Sequence, residues 1–300
     1  MIYAVGETVF DIFFRSYNPA AAKPGGSAFN AIISLGRMGV PSTFISEVGN
    51  DRIGNYIRQF LAENGVFNDY VEMFDDGKTA LSLAFLNENS DAEYDFYKHY
   101  PSHRLQKEIP EFSKEDYLLF GSFYGLNPLL RPQIRRLLKN AAGAGALIYY
   151  DPNFRDSHMD DLEELRDIIE ENIRAADLVR ASDEDLRNIY GVSGVDEAYE
   201  RISPMCKYFI YTANADGVDL RAPGIALHIN VERIKPVSTV GAGDSFNAGI
   251  LYSLYTQGVQ KDNLSELKVN EWEQILKTAA AFSKVVCLSF ENYIPVGFEI

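Results

Sequence analysis

The chain has 300 residues, of which 46% are hydrophobic and 24% are charged, a composition that excludes disordered, collagen-like and coiled-coil proteins. Its 43 acidic and 28 basic residues leave a formal net charge of −15. Since no basic cluster offsets that charge, neither nucleic acid nor an anionic membrane is an expected partner.

Short apolar runs alternate with helical patterns along most of the chain. The runs have the nearly continuous apolar character of strands buried on both faces, and they span residues 2–5, 43–48, 117–120, 146–150, 178–181 and 208–212. This alternation predicts an α/β fold: a doubly wound, mostly parallel sheet with helices on both faces, which binds ligands at the carboxyl ends of its strands. No repeat or long linker divides the chain, so residues 1–300 are expected to form one domain.

Two carboxylates follow the first apolar run. Glu7 and Asp11 lie where a strand end can offer a carboxylate to two sugar hydroxyls, although an aspartate there is often only a turn former. Residues 25–30, GGSAFN, directly precede a helical pattern. Their two glycines allow a ligand to lie against the backbone, and Asn30 offers a donor and an acceptor suited to vicinal hydroxyls. A tight, closely packed turn is the alternative.

Three later helices have recognisable starts or ends. Asp51 can cap a helix that ends near residues 64–65. Pro132 fits the first turn of a second helix, with Gly143 past its end. Asp160 is expected to open a third helix with an apolar inner face.

One region breaks the alternation of strands and helices. Three strand patterns bear on it, at residues 9–15, 79–85 and 93–100. They predict a small antiparallel sheet drawn from about residues 9–17 and 79–100, with a polar turn at 87–91. A doubly wound layer has no place for such a sheet, so it should project as a flap that covers a cleft or pairs with a second subunit. Its aromatic content exceeds that of a solvated flap.

The segment STVGAGDSFNAGILYSL, residues 238–254, contains a glycine-rich turn before a helix. Phe246, Ile250 and Leu254 recur at helical spacing, so residues 241–243 should form the helix N-terminus. Unhindered backbone N–H groups at the positive end of a helix dipole form a site for phosphate oxygens.

Asp244 lies in the first turn of that helix, where a carboxylate would repel a bound anion. The role of general base explains it: the carboxylate accepts the proton of a hydroxyl that faces an incoming phosphoryl group, while the glycine amides and a magnesium ion hold the charge. A simple interaction of the Asp244 carboxylate with the helix dipole explains its position equally well.

Cys206 and Cys287 lie in apolar segments without a Cys-x-x-Cys pair, which indicates neither a disulfide framework nor a zinc site. The most apolar late run is interrupted by Lys284 and is too short to span a membrane. We therefore expect a protein of a reducing, cytoplasmic compartment.

Five segments together resemble the ribokinase-like, or PfkB, carbohydrate kinases. They are GGSAFNAIISLGRMG (25–39), VGNDRIG (48–54), DPNFR (151–155), TANADG (212–217) and STVGAGDSF (238–246). The resemblance extends through nearly the whole chain. The opening GETVFD is similar to the start of the fructokinase and 2-keto-3-deoxygluconate kinase branches.

The resemblance implies ATP-dependent phosphorylation of a sugar hydroxyl. It makes Asp244 the catalytic base and makes the flap a β-sheet lid that closes over the sugar and joins two subunits in a homodimer. The anion hole would consist of Gly241, Ala242 and Gly243. The sugar would be bound by Asp11, Gly25, Gly26, Ser27 and Asn30, with Arg155 as a further candidate. The nucleotide would contact Thr212, Asn214, Gly217, Gly241 and Gly243.

Three positions depart from the family pattern. Ser238 stands where Asp or Asn is usual, at a position associated with a monovalent cation, so activation by potassium is not assumed. Asn214 replaces a glycine near the phosphates and loses backbone freedom there. The magnesium-associated Asn-x-x-Glu pattern appears as SDED, residues 182–185, in which Asp185 keeps an acidic group of shorter reach; Glu184 and Asp185 are the candidates to hold Mg²⁺ through the ATP phosphates.

The resemblance leaves the sugar open. A keto acid requires an arginine aimed at its carboxylate, which Arg155 or Arg104 can provide, whereas a free hexose requires only hydrogen-bonding partners. For Arg104 an ordinary surface ion pair is preferred. Fructose is the preferred substrate, although Lys98 stands where fructokinases commonly carry arginine; 2-keto-3-deoxygluconate, ribose and nucleosides are the alternatives. A non-catalytic sugar sensor is the alternative from another class. Such a sensor would not need Asp244 as a general base.

Overall fold

The computed structural model describes residues 1–86 and 92–300. In these ranges the strands are β1 (Ile2–Val5), β2 (Val9–Arg15), β3 (Asn18–Gly25), β4 (Ser42–Gly49), β5 (Val66–Phe67), β6 (Val71–Phe74), β7 (Lys78–Leu86), β8 (Ala92–His99), β9 (Tyr117–Gly121), β10 (Leu147–Asp151), β11 (Leu178–Ser182), β12 (Tyr208–Thr212), β13 (Val218–Ala222) and β14 (Ile225–Ile229). The α-helices are α1 (Ser27–Arg37), α2 (Arg52–Glu63), α3 (Ser122–Leu126), α4 (Arg131–Ala144), α5 (Leu162–Ala175), α6 (Asp183–Tyr190), α7 (Val195–Ile202), α8 (Ala242–Thr256) and α9 (Val269–Cys287). Within the described ranges, no helix combines the length and the apolar character that a membrane crossing requires.

The central sheet has the strand order β14-β13-β12-β11-β10-β9-β1-β4-β5, and β6 also pairs with β4. The strands from β12 to β5 are parallel, whereas β13 and β14 extend one edge in antiparallel pairing. The registers align the carboxyl ends of neighbouring strands, with Val5 opposite Phe120 and Ser182 opposite Thr212. The loops that follow β1, β9, β10, β11 and β12 therefore meet at one edge of the sheet, where ligands bind in this class of fold.

Alternate residues of the central strands face two separate cores. In β1, Ile2 and Ala4 belong to the core that α1, α8 and α9 cover. Tyr3 and Val5 belong to the opposite core, which α4 and α5 cover. Burial on both faces is the reason for the nearly continuous apolar strands. The predicted doubly wound α/β sheet is confirmed.

The ends of two predicted helices differ from the structure. Asp51 caps α2 as predicted. However, α4 continues through Gly143 and ends at Gly145, whose left-handed backbone lets the N–H of Ala146 reach the Ala141 carbonyl at 3.0 Å. The prediction of Gly143 as the stop was therefore wrong.

The helix expected to open at Asp160 begins instead at Leu162, as α5. Asp160 belongs to a 3₁₀ turn over Asp156–Asp161, which separates β10 from the helix. The predicted apolar inner face is present, since Leu165 and Ile169 are buried.

A separate four-stranded sheet, the lid sheet, has the order β3-β2-β7-β8. The pairs β2–β3 and β7–β8 are antiparallel, as predicted, but β2 and β7 are parallel. The chain leaves the lid sheet after β3, forms the elements from α1 to β6 in the main body and re-enters along β7 in the direction of β2. Strand β3 was missed because its alanines and prolines have low strand propensity. The predicted polar turn at 87–91 lies outside the described residues.

Candidate active site

The N-terminus of α8 is built around a glycine in the left-handed region. Gly241 has a φ of 81°, and a Cβ there would overlap the carbonyl oxygen of Asn292. The N–H of Ala242 donates to the Thr239 carbonyl at 3.2 Å, while those of Gly241 and Gly243 have no acceptor among the described residues. At the positive end of the helix dipole, these two N–H groups are suited to bind an anion.

Asp244 connects the N-termini of two helices. Its Oδ1 accepts a hydrogen bond of 2.7 Å from Ser27 Oγ, and its Oδ2 accepts one of 2.8 Å from Asn30 Nδ2. Both donors lie in the first turn of α1, directly after the glycine pair of residues 25–26. The two glycine-rich segments, far apart in the chain, therefore meet at one carboxylate.

The surroundings of Asp244 shift its proton affinity. Burial raises the pKa of Asp244 to about 6; the hydrogen bonds from Asn30 and Ser27 lower it, and the charge of Asp151 raises it. A carboxylate with this pKa is ionised at pH 7 and is more basic than an ordinary aspartate. Its protonation state is therefore suited to a general base.

Asp11 lies within the lid strand β2, beside the glycine pair, rather than at the end of a central strand. Its buried carboxylate accepts a hydrogen bond from Ser82 of β7. Burial raises the pKa of Asp11 to about 6, while the Ser82 hydrogen bond and the charge of Lys23 lower it. A Cβ on Gly25 would overlap Asp11 Oδ2, so glycine lets this carboxylate lie against the backbone.

The lid strand β8 presents an aromatic surface on the side that carries Asp11. The pairing of β2, β7 and β8 places Tyr94, Phe96 and Lys98 on that side. Tyr94 and Phe96 stack with ring centroids 5.8 Å apart, and Phe96 is 54% exposed. Lys98 Nζ forms an ion pair of 2.7 Å with Glu7 Oε2. This side of the lid sheet therefore offers two aromatic rings for stacking and a lysine whose charge is neutralised by Glu7.

Arg104 forms an ion pair, but a buried one rather than the surface pair that the sequence predicted. Its Nε donates to Glu47 Oε1 at 2.6 Å, and its guanidinium lies 3.6 Å from the centroid of the Tyr100 ring. Both charged side chains are almost completely buried. Arg104 is therefore engaged within the protein.

A buried network beneath the N-terminus of α8 was missed by the sequence analysis. Arg180 of β11 forms an ion pair of 3.0 Å with Asp151 of β10 and donates a hydrogen bond of 2.6 Å to Thr212 Oγ1 at the end of β12. Asn247 of α8 donates to the same Asp151 oxygen at 2.5 Å. A Cβ on Gly243 would lie 3.2 Å from the Arg180 guanidinium. The guanidinium of a buried ion pair therefore lies next to the anion site. The available signal was an arginine inside the otherwise apolar strand LVRAS.

The predicted nucleotide-side residues follow β12 at the same edge of the sheet. Thr212 ends that strand, Asn214 lies in the short 3₁₀ turn after it, and Gly217 precedes β13. Asn214 has a φ of 48°, in the left-handed region that asparagine adopts more readily than most residues. The side chain thus suits the turn in which glycine was expected.

The two predicted magnesium-associated carboxylates have different surroundings. Asp185 caps α6: its Oδ1 accepts from the Phe154 N–H at 2.5 Å and its Oδ2 from the Ser182 N–H at 2.7 Å. The Glu184 side chain is 40% exposed and lies 3.5 Å from an Arg155 nitrogen. Glu184 is therefore the member of the pair whose carboxylate remains accessible, and the exposed Arg155 lies at the rim of the cleft.

Comparison with known proteins gives consistent matches along the chain. Residues 2–296 match the model of the pfkB family carbohydrate kinases. A fructokinase of Klebsiella pneumoniae is 28% identical over 273 residues, 89% of this chain and 88% of that protein. An aminoimidazole riboside kinase of Salmonella typhimurium is 25% identical over 259 residues, 84% of this chain and 80% of that protein. A crystal structure of Vibrio cholerae O395 fructokinase, in a fructose, ADP and calcium ion bound form, shares the fold with a TM-score of 0.85 at 22% identity and covers 97% of this chain and 94% of its own.

Proposed function

Because the chain belongs to the pfkB family of carbohydrate kinases, we propose that it transfers the terminal phosphoryl group of ATP to a hydroxyl group of fructose. The chain is a carbohydrate kinase by family. Fructose, the roles of individual residues and the use of Mg²⁺ are our proposal.

The observation that carries the proposal is the position of Asp244 between two glycine-rich helix N-termini. Its carboxylate contacts Ser27 and Asn30 on one side and lies one residue after Gly243 on the other. A sugar hydroxyl that replaces the Ser27 or Asn30 hydrogen bond would be held by the base and directed at an anion bound to the α8 N-terminus. This arrangement is what in-line phosphoryl transfer requires.

In the proposed step, Asp244 accepts the proton of the sugar hydroxyl while the hydroxyl oxygen forms a bond to the terminal phosphorus of ATP. The bond between that phosphorus and the β,γ-bridging oxygen breaks, and ADP leaves with the bond electrons. The N–H groups of Gly241 and Gly243 hold the charge on the transferred phosphoryl oxygens, and the Arg180 guanidinium, whose charge is paired with Asp151, lies beside them.

The charges around the cleft favour a neutral sugar over a keto acid. Among the described residues, Lys98 is matched by Glu7 and Arg104 by Glu47. Arg155 at the rim is loosely paired, and Lys23 lies opposite Asp11, where its charge is offset. Asp244 adds a further carboxylate within the cleft. A substrate carboxylate would be repelled there more than it would be attracted, whereas hydroxyls can hydrogen-bond to Asp11 and Asn30.

A panel of acceptors tests the choice of substrate. The coupled assay measures ADP release from magnesium ATP with fructose, ribose, 2-keto-3-deoxygluconate and nucleosides; the nucleosides are included because one relative is an aminoimidazole riboside kinase. We expect the highest kcat/KM with fructose. A higher kcat/KM with another acceptor would reject fructose, and turnover with none of them would reject the proposed activity.

Mg²⁺ is proposed to bind together with the ATP phosphates, where it would neutralise part of their charge. Glu184 fits this role because its carboxylate is accessible at the first turn of α6, whereas both oxygens of Asp185 already accept hydrogen bonds. The Ser238 hydroxyl accepts the Val240 N–H at 3.2 Å and brings no carboxylate to the position associated with a monovalent cation. A potassium requirement is therefore not part of the proposal.

The dependence of kcat/KM on pH tests the base, because this quantity reports the pKa values of the free enzyme. We expect kcat/KM to fall as the pH decreases through about 6, because protonation of Asp244 removes the proton acceptor. Ser27→Ala should shift this fall to higher pH, since it removes a hydrogen bond that lowers the pKa. Burial raises the pKa of Asp11 to about 6 as well, so Ser82→Ala, which removes the bond to Asp11, is the control. A fall that shifts with Ser82→Ala and not with Ser27→Ala would assign it to Asp11 instead.

We also propose that two copies pair through the lid sheet. On its face away from the cleft, Ile12 lies opposite Leu83 and Phe14 opposite Phe85, and all four side chains are partly exposed. An apolar face of this kind is suited to pack against a second copy of itself. Sedimentation velocity at micromolar concentration should give a dimer, and Leu83→Asp should give a monomer. A monomeric wild-type protein would contradict the proposal.

A further inference from the structure

The segment that follows α9 crosses the cleft between the lid sheet and α8 and is held on both sides of Asn292. The Phe290 carbonyl accepts a hydrogen bond from Lys23 Nζ of β3, and the Ile294 carbonyl accepts one of 2.7 Å from an arginine of α1. At Asn292 the main chain lies against Gly241, where a Cβ would stand 2.8 Å from the Asn292 Cα. The backbone of Asn292 therefore has a fixed position beside the anion site.

The side chain of Asn292 carries an unpaired buried donor. The residue is 2% exposed, and its Nδ2 has no hydrogen-bond partner in residues 1–86 and 92–300. Buried side-chain amides are nearly always hydrogen-bonded, because an unpaired buried N–H loses its bonds to water without replacement. The exception therefore requires a reason.

The direction of the Asn292 amide explains why its N–H donor has no partner within the protein. The point where Gly25 would carry a Cβ lies 3.6 Å from Asn292 Nδ2, and the same point overlaps Asp11 Oδ2. The Asn292 donor and the Asp11 acceptor thus lie around one corner of the cleft, where a single oxygen atom can reach both. The opposite amide orientation would turn Oδ1 toward the Asp11 carboxylate, which repulsion disfavours.

We propose that Asn292 is a sugar-binding residue that donates a hydrogen bond from Nδ2 to the sugar hydroxyl held by Asp11. The proposal rests on the proposed function and deepens it. A hydroxyl both donates and accepts, whereas an ionised carboxylate only accepts and an amide N–H only donates. The pair therefore matches one neutral hydroxyl, and a carboxylate on the substrate would be repelled at this corner by Asp11.

Binding of deoxy sugars tests this contact directly. Calorimetry would measure the dissociation constants of the best substrate of the acceptor panel and of each of its mono-deoxy analogues for wild-type protein and Asn292→Leu. We expect the wild-type protein to bind one analogue about tenfold more weakly than the parent sugar, and Asn292→Leu to lose that discrimination. Asn292→Leu should also bind the parent sugar about tenfold more weakly, with unchanged affinity for ATP.

Ser289→Ala is the matched control for disturbance of the segment. It removes a local hydrogen bond from the Glu291 N–H, of 3.0 Å, and should keep the discrimination between sugars. If Asn292→Leu weakens the parent sugar and every analogue by one common factor, the residue acts only through packing and the proposal is overturned. If the leucine variant does not fold, Asn292→Ala, which removes the donor without adding bulk or charge beside Asp11, takes its place. Unchanged discrimination between the sugars in Asn292→Leu, in a kinase that turns over an acceptor of the panel, refutes the role of Asn292 alone, whereas absence of turnover with all acceptors refutes the proposed function.

Discussion

Asp244→Asn is expected to lower turnover by about 100-fold or more while the affinities for ATP and sugar stay nearly unchanged. In the proposed mechanism the carboxylate takes the proton of the sugar hydroxyl, and an amide cannot accept a proton at neutral pH. The variant should fold normally. Its amide oxygen can still accept from Asn30, and its N–H group can donate to the Ser27 hydroxyl, which is able to accept as well as donate.

Asp183→Asn is the matched control for this variant. Asp183 is also an acidic residue in the first turn of a helix, but it lies on α6 and pairs with Arg187 on the surface. If Asp244 only interacts with the helix dipole, each variant should cost less than about 1 kcal/mol of stability and leave turnover intact. Steady-state kinetics and direct binding of ATP and sugar distinguish the two roles. Near-normal turnover of Asp244→Asn would refute the assignment of the base.

The parts of the fold and site that depend on local sequence could be predicted. Buried strands alternating with capped helices gave the doubly wound sheet, and the glycines before an apolar helical pattern placed the N-terminus of α8. The position of Asp244 relative to the glycine N–H groups follows from this spacing. Its contact with residues 25–30 was inferred from the family resemblance of both motifs, and the hydrogen bonds to Ser27 and Asn30 place the two segments together.

Contacts between distant segments could not be predicted, because they depend on strand order and on the path of the chain. The arginine inside LVRAS was visible, but its pairing with Asp151 requires β10 and β11 to be neighbours. Strand β3 forms because β2 offers it a partner, against its own low propensity. Asn292 lies in an irregular segment, and only the passage of that segment over Gly241 brings it to the cleft.

Gly241→Ala is expected to lower turnover on the order of 100-fold, the cost of losing one donor of an anion hole, and to destabilise the fold by at least about 2 kcal/mol. Two effects combine at this position. The φ of 81° is strained for alanine, and the added methyl group would overlap the carbonyl oxygen of Asn292. Because that obstacle is backbone and its segment is held on both sides, the α8 N-terminus must move, and its N–H groups move with it.

Gly258→Ala separates strain from displacement at the opposite end of the same helix. Gly258 also has a positive φ, of 67°, but a Cβ there would meet nothing within 4 Å. We therefore expect this control to lose about 1 kcal/mol of unfolding free energy through backbone strain and to keep wild-type turnover. Denaturant unfolding and the ADP-release assay measure both quantities on both variants. Equal losses of turnover would mean that the two ends of α8 matter only for stability, whereas a loss confined to Gly241→Ala would show that turnover depends on the position of the α8 N-terminus, which carries both the anion-binding N–H groups and Asp244.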